Sequence, residues 1–338
     1  MIPRLDIRFP LKRQWQYWFG DPYEPRDGEY LLNHARTGIV LALRASFPNG
    51  GRVGVVAYNC HTVSNAVVNG GCKPVFVDIT DELKINISDL PQDLDAIVVT
   101  NLFGIRNDID AIRKQCPNAV IIVDNAHGYG LPTEGDFTVY SINQGKFPSL
   151  GEGGILIVNH ASPHVQASLE QSYRQLPCYN RLAQVKLFLR MWLKALLYSP
   201  MLYRLVRLGK KTLSVNPKEP IVMRQMASGV RRMYDAFVAC GGHQVERQRK
   251  NAKNISRLLQ GNETVDKVIY GENAFMAIAK CTNPTLLKEW FAGRGVETDT
   301  HFHHAIDWAK SFGYIPGSCP KTEELTKHLL MIPTYKTL

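Results

Sequence analysis

Gly135-Asp-Phe-Thr-Val-Tyr-Ser-Ile-Asn-Gln-Gly-Lys-Phe-Pro-Ser-Leu-Gly-Glu-Gly-Gly154 is the stretch whose reading decides the fold. Phe137 to Ser141 alternates aromatic and β-branched residues, which predicts a short strand. Gly154 to Val158 (Gly-Ile-Leu-Ile-Val) predicts the next one. The polar, glycine-rich hairpin between them carries a single lysine, Lys146. A solvated loop lysine is the ordinary explanation for such a residue. The sharper one is an amine held at a strand end to condense with a carbonyl, the usual covalent role of lysine.

Upstream, Ala119 to Val123 (Ala-Val-Ile-Ile-Val) is an unbroken apolar run, as expected of a parallel strand buried on both faces. It leads into Asp124-Asn125-Ala126-His127. An aspartate just past a buried strand, followed some twenty residues later by a lysine past another, suits pyridoxal phosphate. That cofactor takes a lysine at its aldehyde and a carboxylate at its pyridinium nitrogen.

With these pieces in place the sequence resembles the DegT–DnrJ–StrS family of nucleotide-sugar aminotransferases. Lys73-Pro-Val-Phe-Val-Asp78, Asn101-Leu-Phe-Gly104, Asp124-x-Ala-His127, Gly135-Asp-Phe137 and Ser141-x-x-x-x-Lys146, then Gly-Glu-Gly-Gly154, carry the resemblance. It runs from about Thr37 to Gly154 and returns more loosely from about Arg247 to the end. It implies an α/β fold: the fold type I architecture of PLP-dependent transferases, with a mostly parallel central sheet, flanking helices and a smaller C-terminal α/β domain. On that pattern residues 1–30 are a covering segment and 31–160 the large cofactor-binding domain. Residues 161–220 are a basic, apolar helical insertion, and 221–338 a linking helix with the small domain.

The strand–helix alternation agrees with this. Val53–Ala57, Pro74–Asp78, Ala96–Thr100 and Ala119–Val123 read as strands, Thr62–Asn69 and Ile109–Gln115 as helices. Such alternation builds right-handed crossovers and a parallel sheet, with ligands at the carboxyl ends of its strands. Tyr58, Asn59, Asn101, Asp124 and Ser141 fall at those ends. No Gly-x-Gly-x-x-Gly or Walker-type loop is present, which argues against nicotinamide or ATP chemistry.

The resemblance implies roles for particular residues. Lys146 is the catalytic lysine, Asp124 faces the ring nitrogen and His127 orients the ring oxygen. Thr37, Gly38 and Ser141 hold the phosphate, and Asn143 joins the cofactor-binding set. Arg36-Thr37-Gly38 stands where the family has Gly-Thr-Ala, so Arg36 is a departure that either adds charge to the phosphate or faces solvent. Cys60 or His61 occupies the slot of the residue stacked on the ring, where relatives carry an aromatic. Arg224 stands near the family's asparagine that reaches a partner subunit's phosphate. His301 and His303, in Gly295-x-x-Thr298-x-x-His301, match a segment facing the substrate, and no metal site is expected from them.

The implied reaction moves an amino group from glutamate to a nucleotide-diphosphate keto-sugar, in polysaccharide biosynthesis, by a homodimer. A PLP-dependent sugar dehydratase on the same scaffold is the rival, but such relatives replace the lysine with histidine. A non-catalytic scaffold or regulator at a membrane is the alternative from another class.

Length and composition are compatible with this. The chain has 338 residues, 45% of them apolar and 21% charged, enough for a large or divided core. Its N-terminus lacks the apolar core of a signal peptide, and its seven cysteines are dispersed without a Cys-x-x-Cys, so a reduced cytoplasmic protein is expected. The net charge of +10 is uneven: Tyr173 to Lys250 holds 16 Lys and Arg against 3 acids. A basic segment calls for an anionic partner such as a nucleotide diphosphate or a membrane surface; nothing resembling a nucleic-acid-binding motif appears. Val185 to Tyr198 sets Lys186, Arg190 and Lys194 on an i, i+4, i+8 stripe among leucines and aromatics. Residues 183–211 thus predict either a basic amphipathic pair in the membrane interface or an insertion that packs a dimer or covers the substrate.

Overall fold

The computed structural model describes residues 2–3, 12, 14–199, 202–203, 216–238 and 242–337. The second basic stretch of the insertion, Arg204 to Lys211, lies outside them. A seven-stranded sheet organises the larger part: β1 (Glu29–Leu32), β2 (Arg52–Val56), β3 (Lys73–Val77), β4 (Ala96–Thr100), β5 (Val120–Asn125), β6 (Phe137–Ser141) and β7 (Gly154–Val158). Its order is β1-β7-β6-β5-β4-β2-β3. The pairs from β3 through β6 are parallel, while β6–β7 and β7–β1 are antiparallel. The Phe137 and Gly154 strands therefore form the expected hairpin. Its register, Ser141 opposite Gly154, sets the lysine loop at the carboxyl end of β6.

Along the chain the helices are α1 (Gln16–Phe19), α2 (Ala35–Ser46), α3 (His61–Asn69), α4 (Ile109–Gln115), α5 (Pro163–Arg174), α6 (Arg181–Leu197), α7 (Ser228–Val238) and α8 (Gly242–Leu259). They continue with α9 (Pro284–Gly293), α10 (Ala305–Lys310) and α11 (Pro320–His328). α7 and α8 lie in the 221–338 segment, where a linking helix is expected, and residues 239–241 between them are outside the described set.

Branched aliphatic runs explain the central strands. All five residues of β4 are buried, as are Ile121, Ile122 and Val123 of β5, because helices cover both faces. α2 packs on one face beside β6 and β7, so close that Gly154 is required: a Cβ there would stand 2.2 Å from the Ala35 nitrogen. This contact fixes where the start of α2 meets the lysine hairpin.

A smaller antiparallel sheet, β10-β9-β8, is built from β8 (Val265–Ile269), β9 (Met276–Cys281) and β10 (Leu329–Pro333). Its own core gathers Ile255, Leu259, Leu287, Phe291 and Ile332. It is tied to the large sheet through Asp78, whose carboxylate accepts from the Lys321 and Thr322 amides at 2.8 and 2.7 Å at the start of α11. A second tie is Asn273, whose amide donates to the His127 carbonyl at 2.8 Å. At the N-terminal end Tyr17 is fully buried, donating to the Gln184 carbonyl of α6 and packing on Gly229 of α7.

Candidate active site

The carboxyl ends of β4, β5 and β6 and the starts of α2 and α3 enclose one cavity of about 80 Å³. Asp124, His127, Ser141, Asn143, Lys146 and Cys60 all line it. Residues distant by up to 86 positions are thereby assembled at the sheet edge where parallel strands leave their ligand crevice.

Asp124 is 3% exposed. Burial pushes its carboxyl up from the usual range; the Ala126 amide (2.9 Å to Oδ1), the Lys146 charge and Thr100 oppose the shift. Among the described residues Oδ2 has only the distant Thr100 hydroxyl, at 3.4 Å, so this oxygen keeps acceptor capacity toward the cavity. Burial lowers the Lys146 amine, against the opposing charges of Cys60 and Asp124.

His127 decides the state of that amine. Its ring lies between Phe103 (5.4 Å, 13° between planes) and Phe275 (4.9 Å, 19°). Nδ1 accepts the Phe103 amide at 3.2 Å, and Nε2 lies 2.7 Å from Lys146 Nζ. A neutral imidazole accepting at Nδ1 carries its proton on Nε2. It can then donate to an unprotonated Nζ, so this contact and burial both favour the neutral form of the Lys146 amine. The expected contact of His127 with a ring oxygen is a separate matter; here the imidazole touches the lysine.

The phosphate candidates divide. Ser141 lines the cavity, and its hydroxyl accepts the Asn143 amide at 3.4 Å. Asn143 also bonds His34 Nδ1 and accepts the Gly153 amide at 2.8 Å. Thr37 and Gly38 face elsewhere. Thr37 is fully buried and donates to Asn33 Oδ1 at 2.9 Å, while Gly38 packs on Val139 and Leu156. α2 begins at Ala35, two residues before the polar-to-apolar change in the sequence, so Ala35 and Arg36 form the cavity wall instead. Arg36 Nε is buried without a hydrogen-bond partner among the described residues. An unpaired guanidinium nitrogen is expensive to bury, and at a helix start it is well placed for an anion.

Of the stacking candidates, Cys60 lines the cavity and His61 turns to Trp308 (ring centroids 5.1 Å apart). Burial alone would raise the Cys60 thiol. The hydrogen bond and charge of His61, with the Lys146 charge and Thr62, bring it down to about 7. The histidine segment contributes an aromatic rather than a histidine: Phe302 lines this cavity, and His303 lines another beside Asp307, Lys310 and Glu323. The His301 side chain lies outside the described residues. Arg224 stands over the Tyr179 ring at 5.2 Å, in a cavity next door. Sequence reading placed no role on Phe302 or Thr100; the only signal for Phe302 was its place between the histidines.

The donor set fits pyridoxal phosphate. A buried acid, a lysine whose amine burial lowers, and Arg36, whose Nε is buried without a partner among the described residues, line one space.

Comparison with known proteins agrees. The DegT/DnrJ/EryC1/StrS aminotransferase family matches residues 32–173. The sugar aminotransferase CalS13 from Micromonospora echinospora superposes with a TM-score of 0.68 at 16% identity, covering 99% of this chain and 95% of that one. The putative sugar aminotransferase Spr1654 from Streptococcus pneumoniae, in its PLP form, also gives 0.68 at 16% identity, over 98% and 92%. The E. coli GDP-4-keto-6-deoxy-D-mannose-3-dehydratase with bound hydrated PLP gives 0.67 at 18%, over 92% and 84%. Residues 32–173 thus match the DegT/DnrJ/EryC1/StrS aminotransferase family, and the chain shares the fold of those solved structures.

Proposed function

We propose that this chain is a PLP-dependent aminotransferase that transfers an amino group from glutamate to a keto-sugar carried on a nucleotide diphosphate. The observation that carries the reading is the shared pocket of Lys146, Asp124 and His127, with Lys146 Nζ 2.7 Å from His127 Nε2. When bound, pyridoxal phosphate supplies an aldehyde for the lysine and a ring that accepts electrons. Lys146, kept neutral by burial and by the Nε2–H of His127, takes a proton from the donor's α-carbon and returns one to the acceptor's carbon. Asp124 would accept a hydrogen bond from the cofactor's ring nitrogen, and Arg36, Ser141 and the start of α2 would hold its phosphate.

The dehydratase alternative is disfavoured because Lys146 occupies the position that those relatives give to histidine. The same reading takes the protein as a cytoplasmic homodimer of polysaccharide biosynthesis. It also keeps a peripheral membrane contact through 183–211. Support for that contact is the outward face of α6, where Leu182, Val185, Leu189 and Leu193 are exposed. No described helix is long and apolar enough to cross a membrane.

The test is turnover. Purified protein loaded with pyridoxal phosphate should form 2-oxoglutarate from glutamate beyond one equivalent per site only when a nucleotide-linked keto-sugar is supplied. Sugar dehydration without net amino transfer would favour the rival. For the membrane contact, flotation with vesicles of phosphatidylglycerol and phosphatidylcholine should be lost in Leu189→Ser/Leu193→Ser; equal flotation of both proteins counts against it.

A further inference from the structure

The basic stripe on α6 is exposed, but it borders a cavity rather than a flat surface. Lys186 and Arg190 line a cavity of about 380 Å³ together with Arg224, Glu152, Tyr179 and His34. One turn further on, Lys194 donates to Gln144 of the lysine loop at 2.9 Å. The apolar residues Leu182, Val185, Leu189 and Leu193 are exposed as well.

This cavity adjoins the cofactor pocket. His34, on its wall, directly precedes Ala35 and Arg36 and bonds Asn143 of the pocket at about 3 Å. Its volume falls within the ~300–1,000 Å³ range of small-molecule sites.

Its charge is built, not incidental. Glu152 is 7% exposed and accepts from both the Tyr179 hydroxyl and Arg190, the latter at 2.8 Å. That pair fixes one edge of the Arg190 guanidinium, and no other side-chain hydrogen bond of Arg190 is made among the described residues. Arg224 lies over Tyr179, and its backbone is held by Asn33, whose nitrogen donates to the Arg224 carbonyl at 3.0 Å. Thr37 bonds the same Asn33 at 2.9 Å, which gives that residue a supporting task here. Lys186 is exposed and makes no ion pair among the described residues. Lys186, Arg190 and Arg224 against Glu152 leave three cations facing one carboxylate, a surplus of two charges.

We infer that this second cavity is the subsite for the diphosphate of the nucleotide-linked sugar, clamped by Lys186, Arg190 and Arg224. A diphosphate diester carries one ionised oxygen on each phosphorus, which matches the surplus. Guanidinium forks and an ammonium are the groups that bind such oxygens with strong, charge-assisted hydrogen bonds. The sugar would then bridge from the clamp to the amine-bearing pocket across the His34–Asn143 wall. The inference rests on the proposed aminotransferase reading and adds to it a recognition role for the α5–α6 insertion.

Calorimetric titration of the cofactor-loaded protein with UDP, dTDP and GDP, and with the matching nucleosides, tests it. Lys186→Ala and Arg224→Ala should each weaken nucleoside diphosphate binding by roughly ten-fold or more, and leave nucleoside binding unchanged. Lys186 is exposed, so that variant does not endanger folding. In turnover the loss should fall on KM rather than kcat. If both variants bind the diphosphates as the unmodified protein does, the subsite is overturned. The visible absorbance of lysine-bound cofactor is a separate readout. Its absence, with diphosphate binding sensitive to both substitutions, would overturn the aminotransferase reading and leave the anion subsite standing.

Discussion

Gly154→Ala should damage both the stability and the cofactor affinity of this protein, because of one backbone contact. A Cβ at 154 would lie 2.2 Å from the Ala35 nitrogen and the His34 carbonyl carbon, and 2.5 Å from the His34 oxygen. Ordinary contact begins near 3.4 Å, so relief needs a displacement of about 1.2 Å. The opposing atoms are backbone and cannot rotate away. α2 cannot slide either, since Gly38 already sits where a Cβ would meet Val139 at 3.0 Å. The strain belongs at the upper end of overpacking costs, ~3 kcal/mol. At about 2–4 °C per kcal/mol for a chain of some 150–250 residues, and somewhat less for a longer one, Tm should fall by several degrees. The displaced helix start carries Ala35 and Arg36, so pyridoxal phosphate should bind more weakly too. A misplacement of ~1 Å can cost about 100-fold in catalysis, and a loss of at least ten-fold in affinity is expected here. Calorimetry and a cofactor titration followed by visible absorbance measure the two effects. Gly293→Ala, at a helical glycine with nothing within 4 Å of the added atom, is the control and should not lower Tm. A Gly154→Ala protein with the Tm and cofactor affinity of the original would refute the reasoning.

Two further outcomes follow from the ionisable groups at the site. The Cys60 thiol, held at about 7, should react with iodoacetamide at a rate that climbs as pH rises through 7. Bound cofactor should protect it, and Cys60→Ser should abolish the labelling at this position. Burial, helped by the Arg36 charge, lowers His34 from 6.5 to about 4, although its bond to Asn143 opposes this. The unfolded chain therefore binds the proton first, so His34 contributes stability above pH 6.5 that is lost as pH falls toward 4. Tm measured across that window should fall less steeply in His34→Gln; an equal slope would count against the assignment.

The parts legible in the sequence were those set by local pattern. Two-residue alternation marks Phe137–Ser141 as a strand, and an all-branched run marks β5, because both need only neighbouring residues. Once those strands were placed, Asp124 and Lys146 had to arrive at the same sheet edge. Rotation about a helix axis is less readable. Neighbouring residues of α2 point about 100° apart at ~3.6 residues per turn, so Arg36 lines the pocket while Thr37 turns to Asn33. Contacts across domains were out of reach for another reason. Phe275 stacks on His127, and Phe302 closes on Tyr58, only because the small sheet docks through Asn273 and Asp78. No periodicity within either segment records that docking. The α6 stripe was visible as a stripe, but only the packing of Leu187, Met191 and Ala195 against the body shows which way its bases face.

The central claim is that Lys146 Nζ is the nitrogen that holds the cofactor. Borohydride reduction of the protein loaded with pyridoxal phosphate, followed by peptide mass mapping, measures it directly. The account predicts one stoichiometric cofactor adduct on the peptide containing Lys146, and none there in Lys146→Ala. A stoichiometric adduct on a different lysine, with residue 146 unmodified, would contradict it.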